Sequence, residues 1–208
     1  MSVVAAPVVV RAGTSDATAP LVVLLHGRGA TEESIVGLAD HLPVGPGYAA
    51  VRAPIPDGGG FAWFENRGIG RPVAESLAET TAWFRAWLDD EAAPERPVVL
   101  VGFSGGAAFA GGLLLQDPGR FAGAAILYGT LPFDAGVPVD EGRLADTSVL
   151  VARGDADGII PRELLDRTWR YLHEESGAEL AAYRDGGGHG LTVGALGELR
   201  RWLTAVTS

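Results

Sequence analysis

Short apolar runs rich in β-branched residues alternate along this chain with longer stretches of helical spacing. Strands are predicted near Val8–Arg11, Leu21–Leu25, Ala49–Ala53, Val98–Gly102, Ala124–Tyr128, Val149–Ala152 and Leu180–Tyr183. Several are unbroken apolar runs, such as Leu21-Val22-Val23-Leu24-Leu25, which suits strands buried on both faces of a parallel sheet. Helices are predicted over Thr31–His41, Val73–Asp90, Gly105–Gln116, Arg162–Glu175 and Val193–Ala205. The second puts Leu77, Thr81, Phe84 and Leu88 on one stripe. Pro161 is a start signal for the fourth and Gly177 a stop. This alternation implies a doubly wound α/β sandwich with a mostly parallel sheet and helices on both faces. With no linker, repeat or low-complexity tract, residues 1–208 are expected to form a single domain.

Composition then removes whole mechanisms. The chain has no cysteine, so disulfides, thiolate nucleophiles and Cys-ligated metals are excluded. All 16 Lys+Arg residues are arginine, which excludes Schiff-base chemistry and a lysine-bearing phosphate loop. A net charge of −10 argues against a nucleic-acid partner. No apolar run approaches the ~20 residues of a membrane span, so no membrane insertion is expected. Met1-Ser2-Val3-Val4-Ala5-Ala6-Pro7 has no charged region ahead of an apolar stretch, so no signal peptide is expected and the cytoplasm is the default location. Glycine is abundant, 30 of 208 residues, and clusters between apolar runs, where it marks tight turns and close backbone approaches.

One of those clusters carries chemistry. Val98–Val101 runs into Gly102-Phe103-Ser104-Gly105-Gly106 and then a small-residue helix. A G-x-S-x-G turn between strand and helix pushes the serine out of the sheet edge, and the helix N-terminus behind it offers free N–H groups to a developing oxyanion. Without that context, the motif is an ordinary Gly/Ser turn. Four histidines compete as its base. His26 ends a strand and is expected to hold a loop. His41 and His173 fall in last helical turns, where a surface position is expected. His189 stands in Gly186-Gly187-Gly188-His189-Gly190, a loop whose glycines let the imidazole swing over the sheet edge. The acid is expected between serine and histidine, from Asp117, Asp134, Asp140, Asp146, Asp155, Asp157, Asp166 or Asp185. Asp155 and Asp157 both follow a strand. Asp157, opening Asp157-Gly158-Ile159-Ile160-Pro161, is favoured; Asp155 is the alternative, or a turn stabiliser. The order Ser104, Asp157, His189 separates this arrangement from the two main serine-protease orders.

These segments, with Leu24-Leu25-His26-Gly27-Arg28-Gly29 and Pro56-Asp57-Gly58-Gly59-Gly60-Phe61-Ala62-Trp63-Phe64, resemble the phospholipase/carboxylesterase family of α/β-hydrolases, in its small cap-less branch. The resemblance implies the α/β-hydrolase fold and a triad of Ser104, Asp157 and His189. It also implies an oxyanion hole from the backbone N–H groups of Arg28 and Gly105. It implies a serine esterase without metal or cofactor, acting on a small-molecule ester, and leaves a homodimer open. The Arg28 guanidinium, where many members carry an uncharged residue, is either a solvated charge or a lure for an anionic substrate group. Dienelactone hydrolases, a neighbouring family, typically use a cysteine, which is absent here. Phe61–Arg67 resembles the family's active-site wall, or else packs on the core; Trp63, Phe64, Ile159 and Leu191 are the expected substrate contacts. Only 20 residues, Gly129 to Ser148, separate two strands, which leaves little room for a cap and favours an open cleft for short or medium acyl esters. Thioesterase and lysophospholipase activities share this machinery. A non-catalytic ligand-binding protein on the same fold is the alternative from another class.

Overall fold

The computed structural model describes residues 6–208; residues 1–5, on which much of the signal-peptide reading rests, lie outside the described residues. Seven strands form one sheet: β1 (Val9–Gly13), β2 (Leu21–Leu25), β3 (Gly47–Val51), β6 (Val98–Phe103), β7 (Gly123–Leu127), β8 (Ser148–Gly154) and β9 (Glu179–Asp185). Their order is β1-β3-β2-β6-β7-β8-β9. Only β1 runs antiparallel, against β3. Every residue of β2, β3 and β7 is buried, because helices cover both faces. That double burial is why these segments read as unbroken apolar runs. At the edges, β1 and β9 mix half-buried and exposed positions.

The helices divide between the faces. On one lie α2 (Ala74–Glu91), α3 (Gly105–Gln116) and α4 (Arg162–Arg170), which bring Leu77, Phe84, Leu88, Phe109 and Leu113 into a cluster with the sheet. On the other, α1 (Glu32–Val36) and α5 (Val193–Val206) supply Ile35, Leu199, Trp202 and Leu203. The predicted helix over Thr31–His41 is shorter than its pattern. A reciprocal Thr31–Ser34 capping box starts it, but at Gly37 it tightens into a 3₁₀ turn over Gly37–His41. Likewise, Arg162–Glu175 ends in a π turn, Tyr171–Glu175, stopped by Gly177 at φ 74°.

Two features place the site. The strand order reverses between β2 and β6: the chain leaves β2 for β3 on one side, and from β6 onward builds to the other. Ligands of such sheets bind beyond the carboxyl ends of the strands at that reversal. A hairpin unforeseen in the hydrophobic pattern, β4 (Ile55–Asp57) and β5 (Gly60–Ala62), stands beside it and turns at Gly58 and Gly59, both at positive φ. Residues 128–147 add no cap; they hold turns and pack Leu131, Ala135, Val137 and Leu144 into the α2/α3 face. No helix among the described residues is long and apolar enough to cross a membrane.

Candidate active site

Ser104 sits between β6 and α3 at φ 54° and ψ −114°, a conformation that costs an L-residue about 1–3 kcal/mol. The surroundings enforce it. Its N–H donates to Leu127 O at 2.9 Å on the neighbouring strand end. A Cβ on Gly102 would stand 2.2 Å from Gly106 O, and one on Gly106 would stand 2.1 Å from Leu25 O. Both motif glycines are therefore needed for backbone to touch backbone at the turn.

The hydroxyl meets His189 there. Ser104 Oγ lies 2.9 Å from His189 Nε2, and His189 Nδ1 lies 2.8 Å from Asp157 Oδ2. With Nδ1–H donating to the carboxylate, the Nε2 lone pair faces the serine hydroxyl. Asp157 has no exposed side-chain surface. Its Oδ1 accepts from Ile159 N at 2.9 Å and Ile160 N at 3.0 Å. Burial alone pushes this carboxyl up, but the His189 N–H and the two backbone N–H groups outweigh it and hold it below the ordinary 3.8. The loops that carry Asp157 and His189 are also stitched together: Asp155 N donates to Asp185 O at 2.7 Å and Ala156 N to Gly187 O at 2.9 Å.

Five of the other candidate aspartates are engaged elsewhere. Asp155 points to solvent and pairs with Arg184. Asp166 pairs with Arg153 and Arg162, Asp117 with Arg85, and Asp134 with Arg167. Asp185 accepts from Tyr128, Thr192 and the Gly187 N–H. His41 and His173 are exposed, and His173 stacks on Trp169. His26 ties strand ends: its Nδ1–H donates to Gly27 O at 2.8 Å and its Nε2 accepts from Ala53 N at 3.1 Å.

Arg28 and Gly105 stand side by side next to Ser104. A Cβ on Gly105 would be 3.2 Å from Arg28 N. Gly105 is the first residue of α3, so its N–H has no intrahelical acceptor. The Arg28 loop is zipped to the hairpin by Gly29 N–H to Phe61 O at 2.9 Å and Phe61 N–H to Ala30 O at 3.0 Å. Arg28 Nε pairs with Asp57 Oδ2 at 2.7 Å across the same seam, so its guanidinium is neither free nor purely solvated.

Around these groups lies a cleft of ≈ 730 Å³. Phe64, Ile159 and Leu191 line it, as do Ile35, Leu38, Ile69, Leu131 and Pro132. Trp63 does not. It is 1% exposed, stacks on Phe109 at 4.6 Å and donates Nε1–H to His26 O at 2.8 Å. The chain bends just after β5 ends at Ala62, turning Trp63 into the core between His26 and Phe109 while Phe64 reaches the cleft. The expected wall segment Phe61–Arg67 does supply Phe64 and Asn66, but sequence reasoning missed its continuation over residues 68–72, which adds Ile69, Gly70 and Pro72. It carries no motif, and only the exposure of Ile69, 49%, marks it. The Asn66 Oδ1 atom is buried there with no hydrogen-bond partner. Among the described residues, no group of three or more His, Cys, Asp or Glu is placed to hold a metal ion.

Known proteins share this fold. MhqD of Bacillus subtilis (strain 168), whose name marks it as a proposed hydrolase, is 27% identical over 194 residues, covering 91% of this chain and 94% of its own. A carboxylesterase from Mesorhizobium loti is 28% identical with a TM-score of 0.76, over 89% of this chain and 88% of that one. The Bacillus cereus carboxylesterase superposes at a TM-score of 0.83 over 96% of this chain and 94% of that one, but at 24% identity it speaks for the fold alone. The phospholipase/carboxylesterase family model matches residues 6–206, from ahead of β1 to the last residue of α5. With every strand of the sheet inside that match, the chain belongs to the phospholipase/carboxylesterase family of hydrolases, on the α/β-hydrolase fold.

Proposed function

We propose that the chain is a serine hydrolase that cleaves carboxylic esters of short to medium acyl chain through an acyl-enzyme on Ser104. The observation that carries this reading is the line of two hydrogen bonds, 2.8 Å and 2.9 Å, from Asp157 through His189 to a serine held at positive φ. His189 Nε2 takes the hydroxyl proton as Oγ attacks the acyl carbon, and the imidazolium is stabilised by the Asp157 carboxylate. The carbonyl oxygen becomes an oxyanion facing the Arg28 and Gly105 N–H groups, worth about 3–4 kcal/mol per donor in comparable sites. Collapse expels the alcohol, which takes the proton from Nε2. Water, deprotonated by the same nitrogen, then attacks the acyl carbon, and the acid leaves as Ser104 recovers its proton.

The cleft supports the substrate class. Its wall is mainly aliphatic and aromatic, and no cap lies over it. Arg28 and Asp57 neutralise each other at its edge, which favours uncharged esters over carboxylated ones. A fluorophosphonate probe should give one adduct per chain, on Ser104, and a panel of aryl esters and thioesters of rising chain length should show turnover that peaks at short or medium acyl groups. Thioesters turned over faster than matched esters would move the reading to a thioesterase. A folded chain that neither labels nor turns over any member would make it a non-catalytic binder.

A further inference from the structure

His189 rides a loop, 186–191, in which four of six residues are glycine. Such a loop has more backbone freedom than any other kind. Misplacing a reacting group by about 1 Å costs on the order of 100-fold in rate. The Asp157 bond orients the ring, but it does not fix the chain that carries it.

We propose that Asp185 is a positioning residue for His189, clamping both ends of this glycine loop through one carboxylate; the proposal rests on the serine-hydrolase reading above. Asp185 Oδ1 accepts from Gly187 N at 2.7 Å, at the start of the loop. Oδ2 accepts from Thr192 Oγ1 at 2.8 Å, at its end, and from Tyr128 Oη at 2.9 Å. Each partner is itself fixed. Thr192 caps α5, its Oγ1 accepting from Ala195 N at 3.2 Å. Tyr128 is fully buried, and its N–H donates to Ala152 O at 2.8 Å. Its ring lies 6.1 Å from that of Phe103, which in turn lies 5.3 Å from the His189 imidazole.

The peptide units flanking Gly187 are held from both sides. Its N–H goes to Asp185, and its carbonyl accepts from Ala156 N, the residue before the triad acid. Below the loop, a Cβ on Gly154 would stand 2.3 Å from Gly187 O and 2.4 Å from Gly188 O, so the loop rests on bare backbone. Clamp, loop and acid thus form one rigid ring around the base. The carboxylate stays ionised, as a three-fold acceptor must. Burial pushes its pKa up, but Thr192, the Gly187 N–H and Tyr128 together bring it below the ordinary value. Burial, with the bond to Asp185, pushes the Tyr128 phenol up to about 12, so it stays a donor.

The test compares Asp185→Ala, Asp185→Asn, Tyr128→Phe and, as a control on α5, Trp202→Phe, which loses the bond to Ser148 Oγ and some core packing at the far end of β8. Rates on a neutral aryl ester are divided by active sites titrated with the fluorophosphonate, and unfolding midpoints are recorded. Asp185→Ala is expected to lower kcat about 30-fold with KM within about twofold, and Asp185→Asn, which keeps an acceptor for Gly187, to recover most of it. Trp202→Phe is expected to keep kcat whatever it does to the midpoint. If Asp185→Ala does not fold, Asp185→Asn and Tyr128→Phe decide: kcat down several-fold at unchanged KM in both supports the clamp. Unchanged kcat in every folded Asp185 and Tyr128 variant, or an equal loss in Trp202→Phe, overturns it while wild-type turnover leaves the hydrolase reading standing. A wild-type chain that neither labels nor turns over removes both.

Discussion

At Ser104, the proposed nucleophile, the backbone is held at φ 54° by Leu127 O and by two glycines that admit no Cβ. Ser104→Ala should keep the fold and lose about 10⁴–10⁶-fold in kcat, measured on a short aryl ester. Retention of more than a few per cent in a clean preparation would remove serine from the mechanism. Gly106→Ala should act differently. Its methyl has to displace Leu25 O, and the expected result is a loss of about 3 kcal/mol in urea unfolding, visible before any assay of activity. The two aspartates after β8 separate as cleanly. Asp157 is buried on His189, whereas Asp155 is exposed on Arg184. Asp157→Asn should cost about 10⁴-fold in kcat, and Asp155→Asn no more than a few-fold. Near-wild-type Asp157→Asn beside an inactive Asp155→Asn would reverse the assignment. Ser104, Asp157, His189 and Arg28 were legible in the sequence because each has a glycine beside it, and a glycine requirement is a backbone requirement that leaves a written trace. Trp63 was misplaced because a run of aromatics says that a wall is apolar, not which of its two sides each ring faces.

At the scale of elements, the central strands announced themselves because burial on both faces leaves no polar position to blur the run. The hairpin β4–β5 did not, since three-residue strands containing Pro56 and Gly60 have no period to detect. Helices were legible in existence and uncertain in their ends: the last turns over Gly37–His41 and Tyr171–Glu175 adopt 3₁₀ and π geometry, and a single turn is too short for its altered period to show in the sequence. The hairpin has a consequence for Arg28. Its N–H belongs beside Gly105, while its side chain binds the hairpin at Asp57. Arg28→Ala keeps the donor and frees Asp57, so kcat on a neutral ester should fall only a few-fold. KM should rise for carboxylated esters, which then face an unpaired Asp57. A KM unchanged between carboxylated and neutral esters of equal size would mean that the ion pair does not shape the charge preference of the cleft.

For the molecule as a whole, the seam between sheet, hairpin and α3 is closed by His26. Its two nitrogens bond Gly27 O and Ala53 N, its carbonyl accepts from Trp63, and Trp63 stacks on Phe109. Only the neutral ring fits, because Nε2 must accept from the Ala53 N–H. Burial lowers the His26 pKa below the ordinary 6.5; Gly27 O and Glu32 pull it up, Arg52 pushes it down, and the net shift is downward. In the unfolded chain this ring binds its proton at the ordinary 6.5, so just below that pH the unfolded state takes up more protons than the folded one. Stability from His26 is therefore complete above about pH 6.5 and declines as pH falls from there toward the folded value. A second decline belongs to Glu32. The Arg52 bond holds this carboxyl below the ordinary 4.5 against the opposing effect of burial, so its contribution, present above that pH, is lost as pH falls through the folded value. Urea unfolding from pH 8 to pH 4 should show a plateau, then a fall beginning near pH 6.5, then a steeper fall below pH 4.5. His26→Gln supplies an acceptor for Ala53 N–H but no proton site. It should be less stable at pH 8 by about 1–3 kcal/mol and flatter than wild type between pH 7 and pH 5. Wild-type stability that stays level from pH 7.5 to pH 5, or a His26→Gln curve parallel to it, would mean that protonation of this histidine does not open the seam.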